Sequence, residues 1–230
     1  MAPSLPRPSA ILFDLDGTLI DSVTLIVESA RYAFEARART DFDELAWLAD
    51  LGMPLPTMFR RFAADEEEVA SLIAAYREFQ VANHDALVTA YPGVPETVNT
   101  LRAMGFRLAI VTSKSEPLAE RGLAHVGILE PFETIVGLHG CTNHKPHPEP
   151  VHVALERLGV APADAWFIGD SPHDMNAGRA AGVTTLGALW GPFSRDQIAP
   201  SAPDAWLDRI TDLLRFVGTS DAGRHLTQWA

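Results

Sequence analysis

The chain has 230 residues, of which 47% are hydrophobic and 21% are charged, and its formal net charge is −12. This length and apolar content are enough to bury a full hydrophobic core, either in one large domain or in a domain that carries an insertion. The acidic balance argues against nucleic acids and anionic membrane surfaces as partners, since binding to them depends on clustered Lys and Arg residues. An anionic small molecule would therefore need a local positive site.

The cysteine content and the N-terminal segment bear on the cellular compartment. Cys141 is the single cysteine, so no intramolecular disulfide can form. The N-terminal MAPSLPRPSA lacks the apolar segment of a signal peptide, and no apolar run reaches membrane-spanning length. We therefore expect a cytoplasmic protein, either a monomer or a homodimer, with no nucleic-acid or membrane partner.

Short apolar runs alternate with helical patterns along most of the chain, which is typical of a parallel sheet with helices on both faces. The predicted strands cover residues 10–13, 107–111, 133–136, 165–168 and 183–188. Helices are predicted over residues 94–104, 115–126, 147–158 and 171–181. The predicted fold class is α/β, with a doubly wound, Rossmann-like parallel sheet as its core.

One connection is much longer than the others. About 90 residues separate the first predicted strand from the second, whereas a strand–helix–strand unit needs only about 30. The sequence from Val23 to His84 shows helical patterns throughout. We therefore predict a core domain of residues 1–20 and 90–230 and an inserted helical cap of residues 21–89. A helical insertion beside the end of a strand is suited to act as a lid.

Polar side chains follow the predicted strands at the points where the strands end. They are Asp14 and Asp16 after the first strand, Thr112, Ser113 and Lys114 after the second, Lys145 between the third and fourth, and Asp170 and Asp174 after the fourth. Ligands of open parallel sheets bind at the carboxyl ends of the strands. We therefore expect these side chains to meet in one crevice.

The carboxylates of this crevice predict a metal ion. Four carboxylates that face one another repel and raise one another's pKa, so a bound cation is expected between them. Oxygen ligands without a cluster of thiolates favour Mg²⁺. Together with Lys145, Mg²⁺ would form the positive site that the acidic chain otherwise lacks. Such a site suits phosphoryl transfer, in which positioning and charge neutralisation supply most of the rate.

Four segments, DLDGT, VTSK, KPHPEP and GDSPHD, closely resemble in order and spacing the four motifs of the haloacid dehalogenase-like phosphohydrolases. The resemblance spans residue 10 to about residue 190, and the helical insertion resembles the small helical cap of that family. It implies that Asp14 is the nucleophile, which forms an aspartyl-phosphate intermediate. It also implies that Asp16 is the general acid and afterwards the base that activates water.

The same resemblance implies the binding residues. Thr112 and Lys145 are expected to complete the catalytic set by binding the phosphoryl oxygens. The expected substrate-binding residues are Gly17, Thr18, Thr112, Ser113, Lys114 and Lys145. The expected Mg²⁺ site consists of Asp14, Asp170, the backbone carbonyl of Asp16, and Asp174, which would orient a ligand or a bound water.

The predicted function is Mg²⁺-dependent hydrolysis of a small phosphorylated metabolite. The overall layout resembles phosphoglycolate phosphatases, whereas NHDALVTAYPGVPETV and PDAWLDRITDLL are similar to a branch of bacterial inorganic pyrophosphatases. Pyrophosphate should favour cationic cap residues, whereas a metabolite ester permits apolar contacts. A phosphomutase would use the same two aspartates, and a non-catalytic protein could keep the fold without turnover. Asp16 favours phosphate transfer over carbon–halogen cleavage, because a halide leaves without a proton.

Two other interpretations concern the same loops. Asp170 and Asp174 could be the N-cap and first-turn acid of a helix, with no chemistry involved. The segment HGCTNHKPHPEPVH also holds mixed Cys and His side chains of the kind that bind zinc, namely His139, Cys141, His144, His147 and His152. Their spacing is not that of a common zinc framework, so we interpret them as loop histidines beside the crevice.

Overall fold

The computed structural model describes residues 5–218, so residues 1–4 and 219–230 of the expected core domain lie outside the described part. The strands are β1 (Ala10–Phe13), β2 (Ile20–Asp21), β3 (Thr89–Ala90), β4 (Arg107–Val111), β5 (Thr134–Val136), β6 (Ala165–Gly169), β7 (Thr184–Ala188) and β8 (Ala205–Leu207). The α-helices are α1 (Val23–Glu35), α2 (Glu44–Ala49), α3 (Leu55–Arg60), α4 (Glu66–Leu87), α5 (Val94–Ala103), α6 (Glu116–His125), α7 (Glu149–Leu158), α8 (Pro172–Ala181), α9 (Arg195–Ile198) and α10 (Leu213–Gly218).

Within residues 5–218, six strands form one sheet in the order β5-β4-β1-β6-β7-β8, and every neighbouring pair is parallel. The central strand, β1, lies between β4 and β6, and Phe13 pairs with both Ile110 and Ile168. The three strands therefore end at nearly the same level. The residues that follow them meet at one edge of the sheet.

The residues of β1 alternate between two apolar layers, because successive side chains of a strand point to opposite faces of its sheet. Ile11 and Phe13 pack into a cluster with residues of α5 and α6. Ala10 and Leu12 pack into another cluster, with residues of α7 and α8. Helices thus cover both faces of the sheet, and the predicted doubly wound α/β fold is confirmed.

The four helices between β2 and β3 share an apolar cluster, which also contains Met175, Phe193 and Ile198 from the sheet domain. Phe34, Trp47, Phe59 and Tyr76 are buried in it, and α1 packs along α4. β2 and β3 pair with each other as antiparallel strands, so the chain leaves the sheet region and returns to it at adjacent positions. The domain limits at residues 20/21 and 89/90 stay a prediction.

Several short elements were not predicted. β8 adds a sixth strand to the sheet, and β2 and β3 form a separate pair. Such short strands carry little hydrophobic periodicity, which explains why the sequence pattern misses these three, although it finds the three-residue β5. Within residues 5–218, no helix is both long enough and apolar enough to cross a membrane.

Candidate active site

Asp14, Thr112 and Asp170 directly follow β1, β4 and β6, which are neighbours in the sheet. The backbone N–H of Asp14 donates to the carbonyl of Ile168 at 2.9 Å, and that of Thr112 donates to the carbonyl of Val136 at 2.9 Å. These bonds continue the parallel ladder past the strand ends. The sheet therefore fixes the position of these side chains, and all three are buried.

Asp14, Asp170 and Asp174 form a buried acidic group. One carboxylate oxygen of each residue lies within 4.8 Å of those of the other two. Lys145 is only 2% exposed, and its Nζ lies 2.8 Å from Asp14 Oδ1 and 2.6 Å from Asp174 Oδ1. The same Nζ donates to the carbonyl of Val111 at 3.3 Å. One ammonium group therefore faces three carboxylates.

Lys145 alone does not balance the negative charge of the acidic group. Burial, followed by the nearby Asp174, raises the pKa of Asp14 to about 7, although Lys145 acts to lower it. Burial and the charges of Asp174 and Asp14 raise the pKa of Asp170 well above its usual value. Burial lowers the pKa of Lys145, but Asp14 and Asp174 outweigh it and raise that pKa. A further cation would stabilise the ionised carboxylates.

Asp174 also has a structural role. Ser171 is the N-cap of α8, and its hydroxyl oxygen accepts from the N–H of Asp174 at 3.2 Å. Asp174 Oδ2 accepts in return from the N–H of Ser171 at 3.1 Å and from its hydroxyl at 2.6 Å, which completes a capping box. Its other oxygen, Oδ1, faces Lys145. Asp174 therefore stabilises the first turn of α8 and belongs to the acidic group at the same time.

The carboxylate of Asp16 lies outside the acidic group and has partners of its own. Lys114 Nζ donates to Asp16 Oδ1 at 2.6 Å, and the hydroxyl of Ser22, the N-cap of α1, donates to the same oxygen. The Asp16 side chain is 15% exposed, against 4% for that of Asp14. Asp14 thus faces the buried carboxylates, while Asp16 lies nearer to solvent and beside a cation.

The loop between β1 and β2 packs against Asp170. Gly17 has a φ of +86°, and a Cβ atom at this position would lie 2.6 Å from Asp170 Oδ2. Only glycine fits here, because the backbone is left-handed and the carboxylate occupies the space of a side chain. The hydroxyl of Thr18 donates to Asp170 Oδ1 at 2.6 Å, and Trp190 Nε1 donates to the carbonyl of Thr18 at 2.8 Å.

Thr112 and Ser113 use their hydroxyl groups differently. Thr112 Oγ1 accepts from the N–H of Lys114 at 3.2 Å. Ser113 Oγ donates to the carbonyl of Gly52 at 2.5 Å. Gly52 lies between α2 and α3, so this bond joins the end of β4 to the inserted helices. The hydroxyl of Ser113 is therefore engaged by the insertion, whereas that of Thr112 stays at the strand end.

A cleft with a volume of about 60 Å³ lies between the strand ends and the inserted helices. Asp14, Asp16, Thr112, Ser113 and Lys114 line it from the strand ends. Ile26, Leu51, Gly52, Met53, Leu55, Met58, Tyr76, Arg77 and Gln80 line it from the insertion. The cleft thus has polar groups at the strand ends and mainly apolar side chains on the insertion side.

Tyr76, Arg77 and Gln80 were not among the predicted site residues. All three belong to α4, and Tyr76 and Gln80 are each 3% exposed. Tyr76, Gln80 and His84 follow one another at intervals of four residues on the buried face of this helix. Polar groups repeated along the buried face of a helix are a sequence signal that would have drawn attention to α4.

The sequence model of the haloacid dehalogenase-like hydrolases matches residues 11–188. The chain belongs to this family. Pyrophosphatase PpaX of Bacillus velezensis is 39% identical to it over 212 residues, which cover 92% of this chain and 97% of that protein. The resemblance seen in the four motifs is therefore confirmed, and the protein is an enzyme of the haloacid dehalogenase-like hydrolase family.

Solved structures show the same architecture. A "predicted phosphoglycolate phosphatase" from Haemophilus somnus superposes with a TM-score of 0.80 at 27% identity, covering 90% of this chain and 96% of its own. A "predicted phosphatase" from Clostridium acetobutylicum superposes with a TM-score of 0.83 at 26% identity, covering 93% and 99%. Both likenesses extend over the sheet and the inserted helices of this haloacid dehalogenase-like hydrolase.

The segment from His139 to His152 does not assemble a similar group of ligands. Cys141 Sγ lies 3.5 Å from His144 Nδ1. Across residues 5–218, however, only the three aspartates bring three ligand atoms of Asp, Glu, His or Cys side chains within 4.8 Å of one another. His147 Nδ1 accepts from the N–H of Glu149 at 3.2 Å, at the start of α7. His139, His144 and His147 therefore lie in the loop before α7, as interpreted, whereas His152 belongs to α7 itself, so the interpretation as a loop histidine is wrong for His152.

Proposed function

We propose that this hydrolase cleaves inorganic pyrophosphate into two phosphate ions by Mg²⁺-dependent phosphoryl transfer to Asp14. The chemistry is carried by one observation, the buried group of Asp14, Asp170 and Asp174 beside Lys145 at the ends of parallel strands. The 39% identity to a pyrophosphatase supports the choice of substrate.

The residues of the acidic group fit Mg²⁺. Burial raises the pKa of Asp14 and of Asp170, which marks a site that lacks positive charge, and carboxylate oxygens are ligands of hard divalent ions. Asp14, Asp170 and the backbone carbonyl of Asp16 would hold the ion, with Asp174 orienting a ligand or water. When bound, Mg²⁺ would neutralise negative charge on the phosphoryl oxygens.

In the first step, a carboxylate oxygen of Asp14 attacks phosphorus in line, and the bond from phosphorus to the bridging oxygen breaks. The leaving phosphate keeps the electron pair of that bond, and Asp16 supplies a proton to it. Lys145, 2.8 Å from Asp14, holds the nucleophile in place and attracts the oxygens of the transferred group. The first step leaves Asp14 phosphorylated and Asp16 deprotonated.

In the second step, Asp16 takes a proton from water while the water oxygen attacks the phosphorus atom on Asp14. The bond between phosphorus and Asp14 breaks, which restores the carboxylate and releases the second phosphate. Asp16 ends the cycle protonated, as it began. Ser22 and Lys114 hold its carboxylate at the cleft for both proton transfers.

A small phosphate monoester, such as phosphoglycolate, is the second candidate substrate. The observation in its favour is the apolar lining that Ile26, Leu51 and Met58 give to the insertion side of the cleft. Such side chains suit a substrate that contains carbon. The same two aspartates would act on it, and Asp16 would be more important because an alcohol leaves poorly without a proton.

The first test is phosphate release from pyrophosphate, phosphoglycolate, sugar phosphates and nucleotides, with and without Mg²⁺. We expect kcat/KM for pyrophosphate to exceed the others by at least about tenfold, which is about 1.4 kcal/mol of transition-state discrimination. Asp14→Asn, the matched control, should be folded by circular dichroism but inactive. A tenfold preference for phosphoglycolate would favour the second candidate, and hexose phosphate isomerisation without phosphate release would favour a phosphomutase. Turnover by Asp14→Asn would contradict the mechanism.

The proposed enzyme requires only a small phosphorylated substrate and Mg²⁺. We therefore retain the expectation that it acts in the cytoplasm as a monomer or a homodimer. Cell fractionation and light scattering of the purified protein test these two points.

A further inference from the structure

The cleft contains an arginine whose charge has no carboxylate partner among the described residues. Arg77 projects from α4 and lines the cleft together with Asp16 and Lys114. Within residues 5–218, its guanidinium forms no ion pair and makes a single hydrogen bond, to the side chain of Gln80. Most of its N–H groups are therefore available to a ligand.

Other arginines of the insertion are neutralised by neighbouring carboxylates. Arg31, Arg39, Arg60 and Arg61 each form an ion pair with an Asp or Glu side chain. Arg77 is instead half-buried, and burial lowers its pKa while Tyr76 and Asp16 act to raise it. A guanidinium that is partly desolvated and unpaired gains more from an anion than an exposed, paired one does.

Gln80 restricts the orientation of this guanidinium. Its side chain is buried at 3% exposure, and its Oε1 accepts the hydrogen bond from Arg77 Nη1. The Nε2 atom of the same amide lies 3.5 Å from the hydroxyl of Tyr76. The amide is thus held within α4 and presents its oxygen to Arg77. A planar guanidinium fixed in this way can bind two oxygens of one phosphoryl group.

The position of Asp16 identifies the part of the substrate that Arg77 meets. Lys145 contacts Asp14 on the buried side of the site, where the transferred phosphoryl group attaches. Asp16, the proposed proton donor, faces the group that leaves, and Lys114 contacts it at 2.6 Å. Arg77 lines the same cleft as this pair. The two ends of a bound pyrophosphate would therefore lie against different cations.

We propose that Arg77, oriented by Gln80, binds the leaving phosphoryl group and thereby selects substrates in which two phosphoryl groups are linked. This inference rests on the proposed function and deepens it, because it assigns pyrophosphate selectivity to a residue of the insertion. Lys114 assists by adding positive charge beside the same group. The apolar residues of the cleft then exclude water rather than hold a carbon chain.

The test compares Arg77→Gln with Arg37→Gln. Arg37 is an exposed arginine of the same insertion, bonded to Ser71, and it does not line the cleft. The substrates are pyrophosphate and p-nitrophenyl phosphate, whose aryl leaving group carries no charge when it is bound. Arg77→Gln should lower kcat/KM for pyrophosphate by about 30-fold or more, and for p-nitrophenyl phosphate by less than about threefold. Arg37→Gln should change kcat/KM by no more than about twofold for either substrate.

A binding measurement provides a second readout. Calorimetric titration with imidodiphosphate and Mg²⁺ should show at least about tenfold weaker binding to Arg77→Gln, with unchanged binding of inorganic phosphate. Arg77→Lys should fall between wild type and Arg77→Gln, because an ammonium keeps the charge but loses the bidentate geometry. Circular dichroism and thermal unfolding establish that each variant is folded.

Two results would overturn the inference while leaving the proposed function intact. One is equal loss of activity on both substrates in Arg77→Gln, which would indicate a general structural role. The other is pyrophosphate turnover and imidodiphosphate binding that Arg77→Gln does not change. If the wild-type protein hydrolyses p-nitrophenyl phosphate but not pyrophosphate, the proposed function fails first and the inference fails with it.

Discussion

Asp14 and Asp16 are separated by one residue, and their carboxylates have different partners. Lys145 and Asp174 lie beside Asp14, whereas Ser22 and Lys114 bind Asp16. Burial raises the pKa of Asp14 to about 7, so this carboxyl needs a nearby cation if it is to be ionised at neutral pH. Two residues of the same type thus have different surroundings, and the role proposed for Asp14 requires a further cation that favours its ionised form.

Gly17 gives a test of how closely the loop between β1 and β2 approaches Asp170. Gly17→Ala would place a Cβ atom 2.6 Å from Asp170 Oδ2, at a φ of +86°. We expect a loss of about 1–2 kcal/mol in the free energy of unfolding from the left-handed backbone, with a further loss from displaced Asp170. We also expect phosphate release to fall by at least about 100-fold, because the displaced Asp170 can no longer support the site.

Gly105→Ala is the matched control for this substitution. Gly105 also has a φ of +86°, but a Cβ atom there would meet nothing within 4 Å. Urea unfolding of Gly105→Ala should therefore show the same loss in free energy of unfolding that the left-handed backbone causes in Gly17→Ala, while phosphate release stays at the wild-type level. If Gly17→Ala kept full activity, the close approach of the loop to Asp170 would have no catalytic importance.

At the scale of elements, α4 connects the cleft to the sheet domain. Arg77 and Gln80 face the cleft, and His84 lies farther along the same helix, close to its end. His84 Nδ1 is 2.7 Å from Asp85 Oδ1, and its ring lies 5.9 Å from that of His125 on α6. The last turns of α4 are therefore in contact with the helix that follows β4.

His84 should make the free energy of unfolding depend on pH. Burial lowers its pKa, with Arg121 and Lys114 acting in the same direction and Asp85 acting against them. The unfolded chain then binds the proton more tightly, with a pKa of about 6.5. Stability from His84 should be fully present above that pH and should fall as the pH drops below it. Urea unfolding at several pH values between 5 and 7.5 measures this slope.

The variant His84→Asn separates this contribution from those of other histidines. Burial also lowers the pKa of His144 and of His173, so the wild-type slope contains their effects as well. The variant should be less stable at pH 7.5, yet should lose less stability than wild type on acidification. An identical slope in the two proteins would show that His84 binds its proton equally well in the folded and unfolded states, and that burial does not lower its pKa.

Strands that are continuous apolar runs were predictable from the sequence, whereas the strands of two or three residues, apart from β5, were not. β1 and β4 begin and end at the predicted residues, because each is a continuous apolar run with polar residues after it. β8 was missed because AWL is too short to show a pattern. The pairing of β2 with β3 joins segments on either side of four helices, and nothing local to either segment encodes it.

At the scale of the whole molecule, the site has a part that the motifs locate and a part that they do not. Asp14, Thr112, Lys145 and Asp170 lie in local motifs next to strands, so the topology of a parallel sheet is enough to bring them together. Arg77 reaches the cleft only because α4 packs over the strand ends. That packing is a tertiary property, and one residue of a long polar helix does not reveal it.

Mg²⁺ should stabilise the whole fold if the acidic group binds it. At a concentration of 100 times Kd, binding contributes about 2.7 kcal/mol, which corresponds to a rise of about 5–10 °C in Tm for a chain of this size. Asp170→Asn should abolish this rise. Without Mg²⁺, the same variant should unfold at an equal or higher temperature than wild type, since it removes one of three facing carboxylates.

Differential scanning calorimetry with EDTA or Mg²⁺ measures both effects. Asp196→Asn, which changes an exposed carboxylate on α9, is the control and should keep the Mg²⁺-dependent rise. If Mg²⁺ raised the Tm of Asp170→Asn as much as it raises that of wild type, the ion would bind at a site other than the acidic group.

Trp190 is connected to the loop between β1 and β2 by a hydrogen bond, and this connection has a practical consequence. Its indole N–H donates to the carbonyl of Thr18 at 2.8 Å, and the hydroxyl of Thr18 donates to Asp170 at 2.6 Å. Trp47 and Trp166 are buried elsewhere, with indole N–H groups that have no partner among the described residues. The intrinsic fluorescence of Trp190 is therefore a built-in optical probe of the loop, and the difference between stopped-flow emission traces of wild type and Trp190→Phe separates its signal from that of the other four tryptophans.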